Sequence, residues 1–239
     1  MNRRSAIGGA MFGARVDRSD LHPARQRLLN AISKDPWTFV TAVDPLTNVP
    51  LVWTRNEKSP RGSDPFPQKE HLQLYFQALR SEPVVITPKS RQMIITTGTL
   101  VLSLWEIMFE PSWRVILSKV TEADAEELLE NKVRFTYEHL PDWLKKIRRI
   151  PDKPKGKAMC RETSGYILAA AQNAADREMR GGTSNRVIVD EAAYQDFCQS
   201  IVEAGQPMTK HLVLISSANA SYPGGRFMRK IIYDEQEDM

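Results

Sequence analysis

Cysteine is scarce in this chain, and long apolar runs are missing from it. Its 239 residues contain two cysteines, Cys160 and Cys198, and neither belongs to a C-x-x-C pair or a Cys/His cluster. A disulfide framework and a structural zinc site are therefore excluded as organising features. No apolar run approaches the roughly 20 residues that a membrane-spanning helix needs. These absences predict a protein of a reducing cytoplasm without a membrane span.

A strong charge imbalance is also missing. The net charge is +4, with 26% charged and 41% hydrophobic residues, which is ordinary for a soluble globular protein. This balance permits a polyanionic partner without requiring one. Residues 1–20 combine arginines with an apolar stretch whose glycines make it a poor signal-peptide core. We interpret them as a mobile basic arm.

Turn-forming residues divide the rest of the chain into two parts. Residues 21–65 are predicted to form an N-terminal extension, with a helix over residues 21–33 followed by a hairpin. In that hairpin residues 37–43 and 49–53 flank the turn Asp44-Pro-Leu-Thr-Asn48. Residues 57–67 are rich in Pro, Ser, Gly and charge, which predicts a linker and a boundary before a core domain over residues 66–239.

Short apolar strands alternate with helices in that core. Strands are predicted over residues 83–88, 113–118, 164–171, 185–190 and 211–217. One intervening helix has a capping-box-like start at Thr121 and Asp124, and residues 176–184 are predicted to form a loop. The alternation predicts an α/β fold of three layers with a mainly parallel central sheet, plus the small N-terminal helix/hairpin extension.

Two adjacent carboxylates follow one of these strands. Val187, Ile188 and Val189 form a buried-strand pattern, and Asp190 and Glu191 come directly after it. Ligands bind at the carboxyl ends of the strands in open α/β sheets. Acids at that position suit a nucleotide site, with one holding Mg²⁺ and the other polarising the attacking water. The alternative is an ordinary solvated acidic turn.

A phosphate-binding loop is then expected upstream, between a strand and a helix. Residues 88–97, Pro-Lys-Ser-Arg-Gln-Met-Ile-Ile-Thr-Thr, have that context but not the G-x-x-x-x-G-K-[ST] pattern. Aligning Thr96 with the hydroxyl residue places Lys89 and Ile94 at the glycines. The helix N-terminus still offers N–H groups to phosphate, and Lys89 or Arg91 can supply the cation. The alternative is a polar loop whose basic residues face water.

Four segments resemble motifs of the large terminase subunits of tailed bacteriophages, the ATP-driven motors that package DNA into a procapsid. The resemblance covers residues 66–225. It lies in an arginine-containing, deviant Walker A loop (Ser90-Arg-Gln-Met93 with Thr96-Thr97), a Walker B strand with its lead-in loop (Arg180–Ala193), a coupling motif (Ser216-Ser-Ala-Asn219) and a glutamine motif (Phe66-Pro-Gln-Lys-Glu70).

The resemblance implies a P-loop NTPase fold of the ASCE type and a Mg²⁺-dependent ATPase that translocates double-stranded DNA. The implied residues are Glu191 and Arg91 for catalysis; Gln68, Lys89, Ser90, Arg91, Gln92, Thr96 and Thr97 for ATP; Asp190 and Thr96 for Mg²⁺; and Ser216 and Ser217 for coupling. The implied partners are DNA, the small terminase subunit, the portal protein and further copies in a ring, in the host cytoplasm. The family's nuclease domain is not in this chain, so we expect the ATPase half of a longer protein, without nuclease activity.

Two other functions fit the same residues. A helicase-like translocase would use the same nucleotide core, although helicases normally pair two such cores. A nucleotide-dead module that binds DNA or a protein partner would explain the glycine-free loop. A basic tract over residues 145–161 is a candidate DNA or partner surface, or else a solvated loop; its cations are Lys145, Lys146, Arg148, Arg149, Lys153, Lys155 and Lys157.

Overall fold

The computed structural model describes residues 18–90, 94–152, 154–181 and 183–233, without the side chains of residues 176 and 179–181. Its first elements are a 3₁₀ turn (Arg18–Asp20), helices α1 (Pro23–Ile32) and α2 (Pro36–Thr41), and the antiparallel strands β1 (Trp53–Arg55) and β2 (Ser63–Pro65). The later elements are α3 (Glu70–Ser81), β3 (Val84–Pro88), α4 (Ile95–Phe109), β4 (Arg114–Lys119), α5 (Glu122–Leu128), a π-helical turn (Leu129–Arg134), α6 (Phe135–Glu138), α7 (Asp142–Ile147), β5 (Lys157–Met159), β6 (Tyr166–Ala171), α8 (Gln172–Gly181), β7 (Ser184–Asp190), a second 3₁₀ turn (Ala192–Tyr194), α9 (Cys198–Gly205), β8 (Thr209–Ser216) and α10 (Pro223–Tyr233).

The central sheet has six strands in the order β3-β8-β7-β4-β6-β5. Neighbouring strands are parallel throughout, except that the edge strand β5 runs antiparallel to β6. The five predicted strands are therefore present, and β5 is an addition that the sequence did not reveal.

Apolar side chains on the two faces of the sheet pack against two separate helix layers. Ile188 of β7 joins the cluster that contains α3 and α4. Its neighbours Val187 and Val189 face the opposite way, toward Cys198 and Ile201 of α9. Alternation along a strand thus buries both faces of the sheet, as expected of a parallel sheet covered on both sides. The predicted α/β fold of three layers is confirmed.

The predicted hairpin of the N-terminal extension is wrong in its first half, because residues 36–41 form helix α2. Asp35 caps this helix by accepting a hydrogen bond from the Thr38 N–H at 2.7 Å. Pro36 occupies the first turn, where its missing N–H is not needed. These two start signals outweigh the strand preference of the residues that follow. Of the predicted hairpin the structure keeps a bridge between Val43 and Pro50.

Two segments predicted to be irregular have regular structure. The expected linker over residues 57–67 contains β2, which pairs with β1. The expected loop over residues 176–184 is largely helix α8, which begins directly after β6. Ala175 is fully buried in the same cluster as Ile201, so apolar burial against α9 favours a helix there.

Candidate functional site

The carboxyl ends of four neighbouring parallel strands, β3, β8, β7 and β4, lie side by side along one edge of the sheet. Pro88, the last residue of β3, is paired in register with Ser216 at the end of β8. Asp190 at the end of β7 is paired with Ile215, and β4 lies on the other side of β7. The residues that follow these strands therefore share one edge, which is where ligands bind in α/β sheets.

Asp190 is held rigidly at this edge, whereas Glu191 projects toward solvent. The Asp190 side chain is 4% exposed and that of Glu191 is 49% exposed. Gln195 donates a side-chain hydrogen bond to the Asp190 carbonyl at 2.8 Å. Glu191 has φ 56° and ψ 39°, in the left-handed region that a glutamate rarely adopts. The turn thus leaves one carboxylate buried and its neighbour half exposed.

A chain of hydrogen bonds connects the predicted phosphate loop to the acid. Lys89 donates from Nζ to the Thr96 hydroxyl at 2.7 Å, and that hydroxyl donates to Asp190 Oδ1 at 2.8 Å. Lys89 Nζ also lies 3.9 Å from Asp190 Oδ1. A cation, a hydroxyl and a carboxylate from three elements thus converge, as the sequence predicted.

The loop reaches this geometry without glycine. Ile94 precedes α4 with φ 59° and ψ 8°, the left-handed conformation for which glycine is normally chosen. It occupies the position aligned with the second glycine of the standard loop. Ile94 makes no side-chain cap at the N-terminus of α4, and a helix N-terminus presents N–H groups to which an anion can bind.

Lys119, the last residue of β4, is a site residue that sequence analysis missed. Its Nζ lies 3.2 Å from Glu191 Oε2 and 3.6 Å from Asp190 Oδ2. Burial alone would lower the pKa of the Lys119 ammonium, but the attraction of Asp190 and Glu191 outweighs burial and raises that pKa. The available signal was a charged residue at the carboxyl end of a strand. The predicted strand ended at residue 118, so Lys119 was not recognised as a residue at a strand end.

These residues border a cavity of about 870 Å³. Its lining combines the strand-end residues with the β1–β2 hairpin and the helical turns after β4. Its polar and charged lining includes Arg55, Lys89, Thr96, Thr97, Lys119, Asn131, Lys132, Asp190 and Glu191. A neighbouring cavity of about 490 Å³ is bordered by Lys89, Ser90, Glu191 and Ser217.

The remaining predicted site residues are placed as follows. Ser216 is buried; its hydroxyl accepts a hydrogen bond from the Ala193 N–H at 3.0 Å, and its carbonyl accepts one from the Lys89 N–H at 2.8 Å. Gln68 is exposed and is absent from the cavity lining, although Pro67 and Lys69 belong to it. Arg91 and Gln92 lie outside the described residues.

Much of the basic tract is engaged within the protein. Arg148 is 8% exposed and lies over the ring of Phe109. Arg149 forms an ion pair with Glu162 at 2.7 Å, and Lys145 forms one with Asp142 at 3.1 Å. Arg148 is therefore not part of an open surface, whereas Lys145 and Arg149 are paired but partly exposed.

The donor set suits Mg²⁺ better than a transition metal. Among the residues with described positions, no three His, Cys, Asp or Glu side chains converge to hold a metal ion. The Thr96 hydroxyl and the Asp190 carboxylate are two oxygen donors beside a cavity. Mg²⁺ is commonly bound by one or two such oxygens together with water and substrate phosphates.

Comparisons with known proteins point to one class of fold. No protein family and no curated protein matches the sequence. Among solved structures, the chain is similar to the large terminase of bacteriophage HK97, with a TM-score of 0.59, 14% identity and 86% of this chain covered. It spans 41% of the length of that terminase.

Two further similarities have a TM-score of 0.48. One is to a variant of the large terminase ATPase domain of Thermus phage P74-26, at 18% identity over 67% of this chain and 69% of that chain. The other is to the large terminase of a thermophilic bacteriophage, at 14% identity over 72% of this chain and 44% of that chain.

The HK97 match shows that this chain has the fold of part of a bacteriophage large terminase. The resemblance predicted from sequence is thereby confirmed in the fold. A search of the described helices finds none with the length and apolar character to cross a membrane.

Proposed function

We propose that this chain is the ATP-hydrolysing motor domain of a viral DNA-packaging terminase large subunit. The observation that carries the proposal is the hydrogen-bonded chain from Lys89 through Thr96 to Asp190, beside a large cavity into which Glu191 projects. This is the residue set that nucleoside-triphosphate hydrolysis requires, built on a P-loop NTPase fold.

Each residue has a distinct task in this proposal. Glu191, the exposed acid, accepts a hydrogen bond from the attacking water and orients it toward the terminal phosphate. Lys89 and the first N–H groups of α4 bind the phosphate chain. Thr96 and Asp190 hold Mg²⁺, which when bound neutralises charge on the phosphate oxygens.

The outer parts of the site complete the proposal. Arg91 contributes a second cation at the loop, and Ser90, Gln92 and Thr97 contact the nucleotide beside it. Gln68 contacts adenine, which requires it to turn from its exposed position toward its cavity-lining neighbours. Ser216 and Ser217 couple hydrolysis to movement, and the hydrogen bonds of Ser216 to both nucleotide motifs support that role.

The partners follow from the proposed function. Double-stranded DNA is the translocated substrate, and the small terminase subunit, the portal protein and further copies of the chain in a ring are the assembly partners. The site of action is the procapsid portal in the host cytoplasm.

Removal of the proposed base tests this function directly. We expect Glu191→Gln to lower Mg²⁺-dependent ATP turnover by at least about 10²-fold while ATP still binds, because it removes the base and leaves the phosphate contacts intact. Turnover is measured as phosphate release with double-stranded DNA and the partner subunits present. Glu203→Gln is the matched control, since Glu203 is exposed on α9 and does not line the cavity. Equal turnover in the wild type and Glu191→Gln would remove Glu191 from the mechanism.

A second function is favoured by the glycine-free loop, namely a nucleotide-dead module that binds DNA or a protein partner. Calorimetry with ATP and Mg²⁺ separates the two functions. Absence of binding at millimolar nucleotide, with DNA binding retained, would support the dead module and overturn the ATPase proposal. Strand separation by the chain alone would instead favour the helicase-like translocase.

A further inference from the structure

A lysine lines the nucleotide cavity from an element that none of the nucleotide motifs includes. Lys132 belongs to the π-helical turn between α5 and α6, and it borders the same cavity as Lys89, Thr96 and Asp190. The wide turn of a π-helix is uncommon and is often found at functional sites. Its position here raises the question of what Lys132 binds.

The π-helical turn is anchored on the side away from the cavity. Arg134 is buried and donates hydrogen bonds to the carbonyls of Pro151 at 2.8 Å and Lys157 at 2.7 Å. Val133 is also buried in the main core. With these two residues fixed in the interior, Asn131 and Lys132 are held at the cavity. The position of Lys132 is therefore built into the fold.

Lys132 has no counter-ion of its own in the described part of the chain. It is half-buried and forms neither an ion pair nor a hydrogen bond there. Burial, and next the nearby Arg55, lower the pKa of the Lys132 ammonium, and the weaker attraction of Glu57 and Asp190 does not compensate. Holding an ammonium in such a place is unfavourable until an anion arrives.

The charges around the cavity indicate which anion that is. At the strand ends Asp190 and Glu191 are matched by Lys89 and Lys119, which lie within 3.9 Å of them. The rest of the lining holds as many bases as acids, namely Arg55, Lys58, Lys69 and Lys132 beside Glu57, Asp64, Asp124 and Glu127. A nucleoside triphosphate with its Mg²⁺ is still negatively charged and needs a cation that is not already paired, which Lys132 can supply. Lys132 lines the same cavity as Lys89 and Asp190.

We propose that Lys132 is a phosphate-binding residue, which contacts the phosphate chain of the nucleoside triphosphate from the π-helical turn. Arg55 helps to hold this turn at the cavity, because its guanidinium donates a hydrogen bond to Asn131, the residue before Lys132. This inference rests on the proposed function, and it adds a cation that the Walker motifs do not contain. Nucleotide binding then joins the π-helical turn to the end of the sheet.

The test compares Lys132→Met with Lys34→Gln, a control at an exposed lysine that does not line the cavity. We expect Lys132→Met to weaken MgATP binding in calorimetry by about tenfold or more, the typical effect of losing a charge-assisted hydrogen bond. The loss should be smaller for MgADP and smallest for AMP, because fewer phosphates remain to be contacted. Lys132→Arg should restore part of the affinity.

Thermal unfolding without nucleotide provides the second measurement. Lys132→Met should have an unchanged or raised Tm, because it removes an ammonium that lacks a partner, and it should show a smaller rise in Tm on adding MgATP. A lowered Tm without nucleotide would identify Lys132 as a structural residue and overturn the inference. Equal MgATP affinity in wild type and Lys132→Met would also overturn it, leaving the ATPase proposal intact. Absence of binding by the wild type would instead count against the proposed function.

Discussion

Strand β7 carries an ion cluster near each of its two ends, and the two clusters differ in almost every respect. Near the amino end, Arg186 is fully buried and donates two hydrogen bonds to Glu106 of α4, at 2.6 and 3.0 Å. At the carboxyl end, Asp190 and Glu191 face Lys89 and Lys119 across longer distances of 3.2 to 3.9 Å.

The two clusters differ in whether their charged groups are closed off from a ligand. The Arg186–Glu106 pair is closed to solvent, because both side chains are buried and the Leu79 carbonyl accepts a further hydrogen bond from Arg186, although Arg186 Nη1 has no partner among the described residues. The carboxyl-end cluster is open, because Glu191 is half exposed and borders a cavity. A closed buried pair fixes the position of two elements, whereas an open cluster retains groups that a ligand can bind.

Breaking the closed pair should have the largest effect on stability. We expect Arg186→Met to lower the free energy of unfolding by about 3 to 5 kcal/mol, because it leaves the Glu106 carboxylate buried without a partner. The double variant Arg186→Met with Glu106→Leu should recover much of the loss. Urea denaturation followed by circular dichroism measures both. A loss below about 1 kcal/mol for the single variant would contradict the closed-pair interpretation.

Removing a cation from the open cluster should affect stability less. We expect Lys119→Met to lower the free energy of unfolding by roughly 1 kcal/mol at pH 8, since Asp190 keeps its contacts with Lys89 and Thr96. The pKa of Lys119 is raised above its ordinary value of 10.5 in the folded protein. Its contribution is therefore complete below that pH and is lost as the pH rises through the folded pKa.

The measurement for Lys119 is the difference in unfolding free energy between the wild type and Lys119→Met, followed with pH. That difference should stay constant from pH 7 to 9 and shrink above about pH 10.5. A difference that grows with alkaline pH would mean that the ion pairs with Asp190 and Glu191 do not control the charge of Lys119.

The smallest effect is expected where the open end holds backbone strain. Ile94 and Glu191 both have a positive φ and border the cavity, whereas neither Arg186 nor Glu106 has a positive φ. We expect Ile94→Gly to be more stable than Ile94→Ala by up to about 1 kcal/mol, the reverse of the order in ordinary helices, because glycine adopts this conformation without a Cβ clash. Thermal unfolding of the two variants decides it. An alanine variant as stable as the glycine variant would show that the loop relaxes.

Local sequence patterns were sufficient to predict much of this fold and part of its site. Apolar runs predicted the five parallel strands, and the expected phosphate loop and acid pair do lie beside each other; the pairing of Asp190 with Thr96 came from the terminase resemblance. Both signals lie within a few residues and follow from where parallel strands end. The adenine contact of Gln68 remains a prediction, because its side chain lies outside the cavity.

The features that were missed depend on residues distant in sequence. Lys119 acquires its role from Asp190 and Glu191, about seventy residues later in the chain, through strand pairing between β4 and β7. The Arg186–Glu106 pair likewise joins residues eighty positions apart. Helix α2 was missed for another reason, since the hairpin prediction rested on the strand-forming residues after Pro36 and did not consider the start signal at Asp35 and Pro36.

Ser216 gives the open end of the sheet a mechanical property. Its carbonyl holds the main chain of the phosphate loop, and its hydroxyl holds the turn after the acid pair. The loop and the turn are thereby both hydrogen-bonded to one residue at the end of β8. A displacement of any of these three segments is therefore expected to shift the other two. Because β8 is followed by α10 after a short loop, the same residue also connects the cavity to the last described helix.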